Sequence, residues 1–239
     1  AGSYKPGEQV QWKKDPNDPN EDWCAVCWDG GDLVCCEFCP KVFHDRCHIP
    51  HLQPLGENEK WQCLLCTDLE NAKFDEPDIG GKRRLGLTKR ELRVMQRILL
   101  EIFCNYEASQ PFRELVDKEL TEYYEIIKKP MALEIIKKKM VPGNEEHYEA
   151  VEDFVKDIRL IFKNCYEFNP KGTEIYSYAR ILEDNFEQLL ERWLPNVSVE
   201  ASKDADSDYE PGSDADTPEP KKRKKTKEAQ SDQSLMHIR

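Results

Sequence analysis

The sequence predicts a small cysteine-rich domain, then an all-α four-helix bundle, then a disordered C-terminal tail. Three observations carry this order. Cysteine and histidine residues fall in four closely spaced pairs between Cys24 and Cys66, four stretches between Leu92 and Trp193 repeat apolar residues at helical spacing, and the chain beyond Pro195 is poor in apolar side chains. Composition agrees: at 239 residues with 38% hydrophobic side chains and a mean hydropathy of -0.79, the chain is too polar for one large core, so two small folded units with solvated connections are expected. The N-terminal AGSYKPGEQV lacks a basic-then-apolar signal, and no run of eighteen apolar residues occurs, which predicts a soluble chain outside the secretory route with no membrane partner. The chain opens on Ala1 rather than methionine and reads as a piece of a longer protein, with Ala1 to Ser3 as a cloning remnant. A net charge of -12 argues against wrapping nucleic acid, predicts no strong sequence-specific DNA binding, and favours basic partners.

The paired residues are Cys24 and Cys27, Cys36 and Cys39, His44 and Cys47, and Cys63 and Cys66. A two-residue gap lets both donors of a tight knuckle reach one tetrahedral ion at about 2.3 Å, whereas disulfides need no such regularity and are rare in reducing compartments. The repetition therefore predicts metal ligands rather than a disulfide staple or a catalytic thiol. Eight ligands fill two tetrahedra, so two structural zinc ions are expected. Interleaving is the usual solution, with the first and third pairs on one ion and the second and fourth on the other. Cys35 is the spare thiol, because Cys36 has the correct gap to Cys39. A unit this small has little core, so the metals supply folding energy, and Phe43 and Trp61 read as what core there is.

The order of four cysteines, a histidine and three cysteines, with Trp61 two residues before Cys63, resembles a plant homeodomain (PHD) finger, a zinc cross-brace. A RING finger is the competing cross-brace, but it places its histidine after a longer first loop. The resemblance implies that the finger binds the N-terminus of histone H3 as an added strand. It also implies a choice at the fourth lysine, since aromatic cages read trimethyllysine while carboxylates hydrogen-bond the unmodified ammonium. Gly30-Gly31-Asp32-Leu33-Val34-Cys35 reads as a turn and a short strand with an open edge, which suits strand addition. Asp22 is the candidate ammonium acceptor, supported by Asn20 and Glu21, with Trp23 beside them. The plainer reading of these acids is a solvated lead-in loop. Trp23 and Trp28 complicate the assignment, since an exposed indole stacks on a methylated lysine elsewhere in a tail.

Residues 68–87 lack periodicity and contain Pro77, Gly80, Gly81 and the basic run Lys82 to Arg84, which predicts a linker. Thr88 with Glu91 three residues on is a capping box. Leu92, Met95, Leu99, Ile102, Phe103 and Tyr106 then follow at helical spacing. Further helices are expected over Leu133 to Met140, Glu145 to Phe168 and Glu174 to Trp193, and four such amphipathic helices make a bundle. The long second connection, QPFRELVDKELTEYYEIIKKPMAL, is too apolar for a disordered loop, so it packs on the helices and its apolar residues line a pocket at the bundle's end.

With NCYEFN and Pro170 closing the third helix, residues 88–194 resemble a bromodomain through Pro111-Phe112, Val116, Tyr123-Tyr124, Pro130-Met131 and Asn169. The resemblance implies an acetyl-lysine slot. An acetylated lysine presents an amide carbonyl on an apolar stem and needs a greasy slot with one donor at its base. Asn169 would be that donor, Tyr123 would hold a bridging water, and Phe112, Val116, Leu120, Phe168 and Ile175 would be the walls. The plainer reading of Asn169 is a helix C-terminus. Ala132, where an aspartate is usual, costs a helix cap; Gln110, where many members have tryptophan, leaves the shelf beside the slot less aromatic.

Beyond Pro195, KDADSDYEPGSDADTPEP is acidic and is followed by the basic run KKRKKTK, so the tail is expected to be disordered. Lys221, Lys222, Arg223, Lys224 and Lys225 read as a nuclear localisation signal, against a plain charge run or an electrostatic DNA contact. The expected division is an N-terminal extension over 1–19, a finger over 20–67, a linker over 68–87, a bundle over 88–194 and a tail over 195–239. This order, with NEDWCAVC and CPKVFH, resembles the C-terminal part of the transcriptional intermediary factor branch of the tripartite-motif proteins. That resemblance implies a nuclear chromatin reader whose partners are the H3 tail, acetylated histone tails, nucleosomes and other chromatin co-regulators. With no triad, phosphate loop or open zinc in the sequence, this chain is expected not to be an enzyme. The alternative is E3 ubiquitin or SUMO ligase activity, through the finger or through a RING domain outside these residues.

Overall fold

A computed structural model describes residues 18–56, 59–74 and 86–197. The first seventeen residues of the expected extension, linker residues 75–85, and the tail from 198 onward with its basic run Lys221 to Lys225 lie outside the described residues.

The finger owes little to regular secondary structure. Strands β1 (Val34–Cys35) and β2 (Val42–Phe43) pair antiparallel, Val34 opposite Phe43 and Cys35 opposite Val42. Cys24 bridges Val42 from the other side, and Ala25 N donates to Val42 O at 2.9 Å. β1 is therefore the outer strand of the sheet. Beneath it Phe43 is fully buried and meets His48 and Trp61 edge-on, with ring centroids 5.1 and 5.9 Å away. These rings form the small core expected of Phe43 and Trp61.

The bundle opens with α1 (Lys89–Cys104). Thr88 Oγ1 accepts from Glu91 N at 3.0 Å and Glu91 Oε2 accepts from Thr88 N at 2.7 Å, so both members of the capping box are made. The periodicity continues to Tyr106, but the helix stops at Asn105 and restarts as α2 (Tyr106–Ser109), followed by a 3-10 turn over Gln110–Phe112. The long connection carries α3 (Thr121–Ile126) and leads to α4 (Leu133–Lys139), whose N-cap Ala132 makes no side-chain cap bond. α5 (Val151–Phe168) and α6 (Glu174–Trp193) complete the bundle, packing through Phe154, Phe162 and Phe186.

Two expectations are corrected. The third long helix begins at Val151 and not at Glu145, because Tyr148 is drawn into the core, where its hydroxyl donates to Asp157 at 2.7 Å, and Ala150 is held extended. The second correction concerns the solvated connection: the finger is docked on the bundle. Arg97 Nη1 donates to Leu64 O and Thr67 O, each at 3.1 Å, Arg113 Nη2 to Val26 O at 2.6 Å, and Lys137 Nζ to Arg46 O at 2.8 Å. Leu69, inside the expected linker, is buried in the apolar cluster that joins the two units. Three cations thus donate to carbonyls of the finger, and charged hydrogen bonds of this kind contribute roughly 1.5–3 kcal/mol each.

Candidate metal centres and reader sites

Each metal set gathers residues that are distant in sequence. Cys24, Cys27, His44 and Cys47 form one group and Cys36, Cys39, Cys63 and Cys66 the other, with the ligand atoms of each group all within 4.8 Å of one another. Zinc–sulfur bonds of about 2.3 Å in a tetrahedron require sulfur atoms about 3.8 Å apart. Cys36 and Cys66 Sγ are 4.0 Å apart, and Cys39 and Cys63 Sγ 3.7 Å. His44 Nδ1 lies 3.3 Å from Cys27 Sγ and 3.7 Å from Cys47 Sγ, while its Nε2–H donates to Gly30 O at 2.9 Å. That second bond fixes the tautomer and turns the Nδ1 lone pair toward the sulfurs. Each set fits one structural zinc ion, two in all, and the pairing is interleaved as expected.

The thiols already compete for charge. The hydrogen bond from Cys47 holds Cys24 down at about 4, and the same contact pushes Cys47 up. In the second set burial raises Cys63 and lifts Cys66 to about 11. Burial acts on Cys36 too, but the backbone N–H groups of Cys63 and Phe38, at 3.3 and 3.4 Å, outweigh it and bring Cys36 to about 7. Four thiols so placed cannot all ionise without a cation, which is the chemistry zinc supplies when bound. His48 is a support that no sequence motif signals. Its Nδ1–H donates to Pro50 O at 2.9 Å and its Nε2 accepts from Leu64 N at 3.0 Å, pinning the last knuckle, and burial pushes its pKa down to about 4.

The lead-in segment runs along the hairpin turn, with Glu21 N donating to Pro40 O at 2.8 Å and Lys41 Nζ 3.9 Å from Glu21 Oε1. Glu21, Asp22 and Trp23 come together in a cleft of about 310 Å³ whose other walls include Trp28, Lys41 and the bundle residue Cys104. Asn20, half-buried, stands just outside it. Val34 and Cys35 form β1, with Asp32 and Leu33 leading into it, and Asp18 of the lead-in segment comes close enough to Cys35 to act on its thiol. The indoles are braced differently: Gly30 lies under Trp23, leaving about one carbon's contact distance, and Trp28 stacks on Tyr106 of α2 at 5.6 Å with the planes 30° apart. Trp28 also adopts φ +55, a conformation rare for a bulky side chain. Both rings remain more than half exposed, at 55% and 60%. The contributions of Lys41 and Cys104 carry no local sequence signal, since the fold alone brings them to the cleft.

Within the bundle, α3 packs on α5. Tyr123, only 7% exposed, meets Phe168 edge-on at 5.1 Å and Tyr124 at 5.2 Å, and burial raises its phenol pKa. Tyr124 donates to Val116 O. Asn169 follows the last turn of α5; its Nδ2 donates to Cys165 O at 2.9 Å, the helix-end bond of the plainer reading, and Cys165 Sγ in turn lies 3.6 Å from Ile175 O. Tyr123, Phe168, Asn169 and Ile175 are thereby linked, and Phe112 is buried nearby in the core. Leu120 precedes α3 and is 38% exposed.

Comparison with known proteins matches this architecture. Residues 95–181 fit the bromodomain family model. The chain is 44% identical over 175 residues to E3 ubiquitin-protein ligase TRIM33 of Homo sapiens, covering 71% of this chain and 15% of that protein. The Xenopus laevis protein of the same name is also 44% identical over 175 residues, 71% of this chain and 16% of its own length. Tripartite motif-containing protein 66 of Homo sapiens is 39% identical over 209 residues, 83% of this chain and 15% of that protein. The chain thus spans about 15% of the length of the curated relatives it matches. The two zinc sets followed by the bromodomain match give this chain the arrangement of a PHD finger and a bromodomain, strongly similar over that stretch to TRIM33 and to tripartite motif-containing protein 66.

Proposed function

We propose that this module, which has the architecture of a chromatin-associated reader, binds the N-terminal tail of histone H3 through the finger and acetyl-lysine on histone tails through the bundle. The tail adds a strand to the outer edge of β1, along Asp32, Leu33, Val34 and Cys35. Its unmodified fourth lysine donates to Asp22, assisted by Asn20 and Glu21, and methylation removes that bond. The acetyl carbonyl accepts from Asn169, with Tyr123 holding a water and Phe112, Val116, Phe168 and Ile175 around the stem. Nucleosomes are the natural partner, and the basic run at Lys221 to Lys225 supports a nuclear location.

One observation carries this reading: two carboxylates and two exposed indoles meet in one cleft on a finger whose outer strand β1, among the described residues, pairs with β2 alone. Among the described residues, no helix is long and apolar enough to cross a membrane. The test is a modified-histone peptide array probed with the zinc-loaded chain. The expected pattern is retention on unmodified H3 N-termini, loss on trimethylation of the fourth lysine, and gain with downstream acetylation. Retention that ignores both marks would overturn the reading.

A second reading rests on the name that the TRIM33 relatives carry, E3 ubiquitin-protein ligase. Incubation with E1, E2 and labelled ubiquitin or SUMO separates the two readings, since a pure reader gives no conjugate and a ligase does.

A further inference from the structure

Arg113 occupies a place that neither reader site accounts for. Its guanidinium lies between the two units and Nη2 serves three acceptors: Val26 O at 2.6 Å, Phe103 O at 2.8 Å and Ser109 Oγ at 3.1 Å. It also stacks over Tyr106 at 5.0 Å and over Phe103 at 5.4 Å, while Tyr106 carries Trp28 at 5.6 Å. On the finger side, Val26 sits between the zinc ligands Cys24 and Cys27, directly after the cleft residues Cys24 and Ala25. On the bundle side, Arg113 follows the Pro111-Phe112 shelf, and its carbonyl accepts from Glu134 N at the start of α4 at 3.0 Å. One side chain therefore grips the cleft wall and, through its own backbone, the segment that leads to Val116 and Tyr123.

We infer that Arg113 couples the two reader sites, so that a peptide in the finger cleft raises the affinity of the bundle for a separate acetyl-lysine ligand. This rests on the reading of the two sites proposed above. The physical ground is ordering. A ligand between Trp23 and Trp28 immobilises Trp28, hence Tyr106 and the guanidinium clamped on it, and the shelf beside the slot is then already ordered when the second ligand arrives. Linkage makes the effect reciprocal. A single planar fork bonded to three acceptors transmits position in a way that one ammonium does not.

The experiment uses two unlinked ligands on the zinc-loaded chain, so that tethering plays no part. One is an unmodified H3 N-terminal peptide too short to reach the bundle, and the other is doubly blocked acetyl-lysine, N-acetyl-Nε-acetyl-lysine methylamide. The affinity of the second is measured by NMR titration with and without saturating first ligand. The native chain is expected to bind it about fivefold more tightly or better in the presence of the peptide, the lower end of ordinary coupling, and the gain is expected to vanish in Arg113→Lys and in Tyr106→Leu with each ligand still bound alone. Two sites that both bind but ignore one another in the native chain overturn the coupling while leaving the reader assignment intact. A gain that survives Arg113→Lys overturns the role of Arg113. A finger or slot that binds nothing alone refutes the reader assignment, and with it the coupling.

Discussion

The guanidinium of Arg113 donates to the carbonyl oxygen of Val26, 87 residues earlier in the chain, at 2.6 Å. A bond of this kind makes the metal knuckle a structural part of the bundle, since burial disfavours the charged guanidinium and lowers its pKa, so the charge needs acceptors at this seam. Losing a buried partner leaves a desolvated group unpaired at a cost of about 1–3 kcal/mol, more where a charge is involved.

Zinc removal is therefore expected to weaken the bundle as well as the finger. Chelation should lower the melting temperature read from the helical circular dichroism, by several degrees for each kcal/mol lost in a unit this size. Arg113→Met should show most of that loss with zinc still bound. A helical transition indifferent to chelator would mean that the finger contributes nothing to the bundle.

Thiol chemistry gives an independent count. Of ten cysteines, seven are zinc ligands, and burial raises Cys104 to about 12 and Cys165 to about 11. Only Cys35 is exposed, and burial with nearby acids raises it too, so it should react slowly. Mass spectrometry after brief alkylation should find one adduct, on Cys35, in the zinc-loaded chain and seven more after chelation. Rapid labelling of any zinc ligand before chelation would contradict the two filled tetrahedra.

His48 sets a pH dependence whose sign is fixed. Its pKa is held at about 4, below its ordinary 6.5, because burial disfavours the charged ring. The neutral ring's contribution is complete above pH 6.5 and is lost as the pH falls toward 4. At saturating zinc, the stability difference between the native chain and His48→Leu should shrink steadily from pH 7 to pH 5. A difference that grows on acidification would require a protonated ring in the fold.

The metal sets and the long helices were legible because their signals are local. A two-residue gap reports a knuckle, Thr88 and Glu91 report a cap, and Phe154, Ile158, Ile161, Phe162 and Cys165 repeat at the helical period. The docking was not legible, because Arg97, Arg113 and Lys137 bond to backbone carbonyls, which every residue has. The late start of α5 follows from Tyr148 reaching Asp157, nine residues on, a preference that helical periodicity does not encode. His48 was passed over for a similar reason: its partners are the backbone of Pro50 and Leu64. Asp22, Trp23 and Trp28 were recognisable as polar and aromatic surface, but their convergence with Cys104 depends on the docked bundle.

Docking also changes what governs bivalent binding. On the proposed reading, the Arg97 and Arg113 contacts fix the span between the two sites, so the effective concentration of the second site depends on the length of tail between the marks. Asp22→Ala and Asn169→Ala should then each cost more on a doubly marked tail than on a singly marked one. On the singly marked tail Asp22→Ala should cost several-fold, in line with a charged hydrogen bond of roughly 1.5–3 kcal/mol.

The central claim, that the finger and the bundle read one H3 tail together, is tested most directly by calorimetry on one long H3 peptide prepared with and without a downstream acetyl-lysine. With the N-terminus unmodified in both, the acetylated peptide should bind at least about tenfold more tightly, as linkage of two compatible sites allows, and Asn169→Ala should remove the difference. Equal affinity of the native chain for the two peptides, across the candidate acetylation positions, would contradict it.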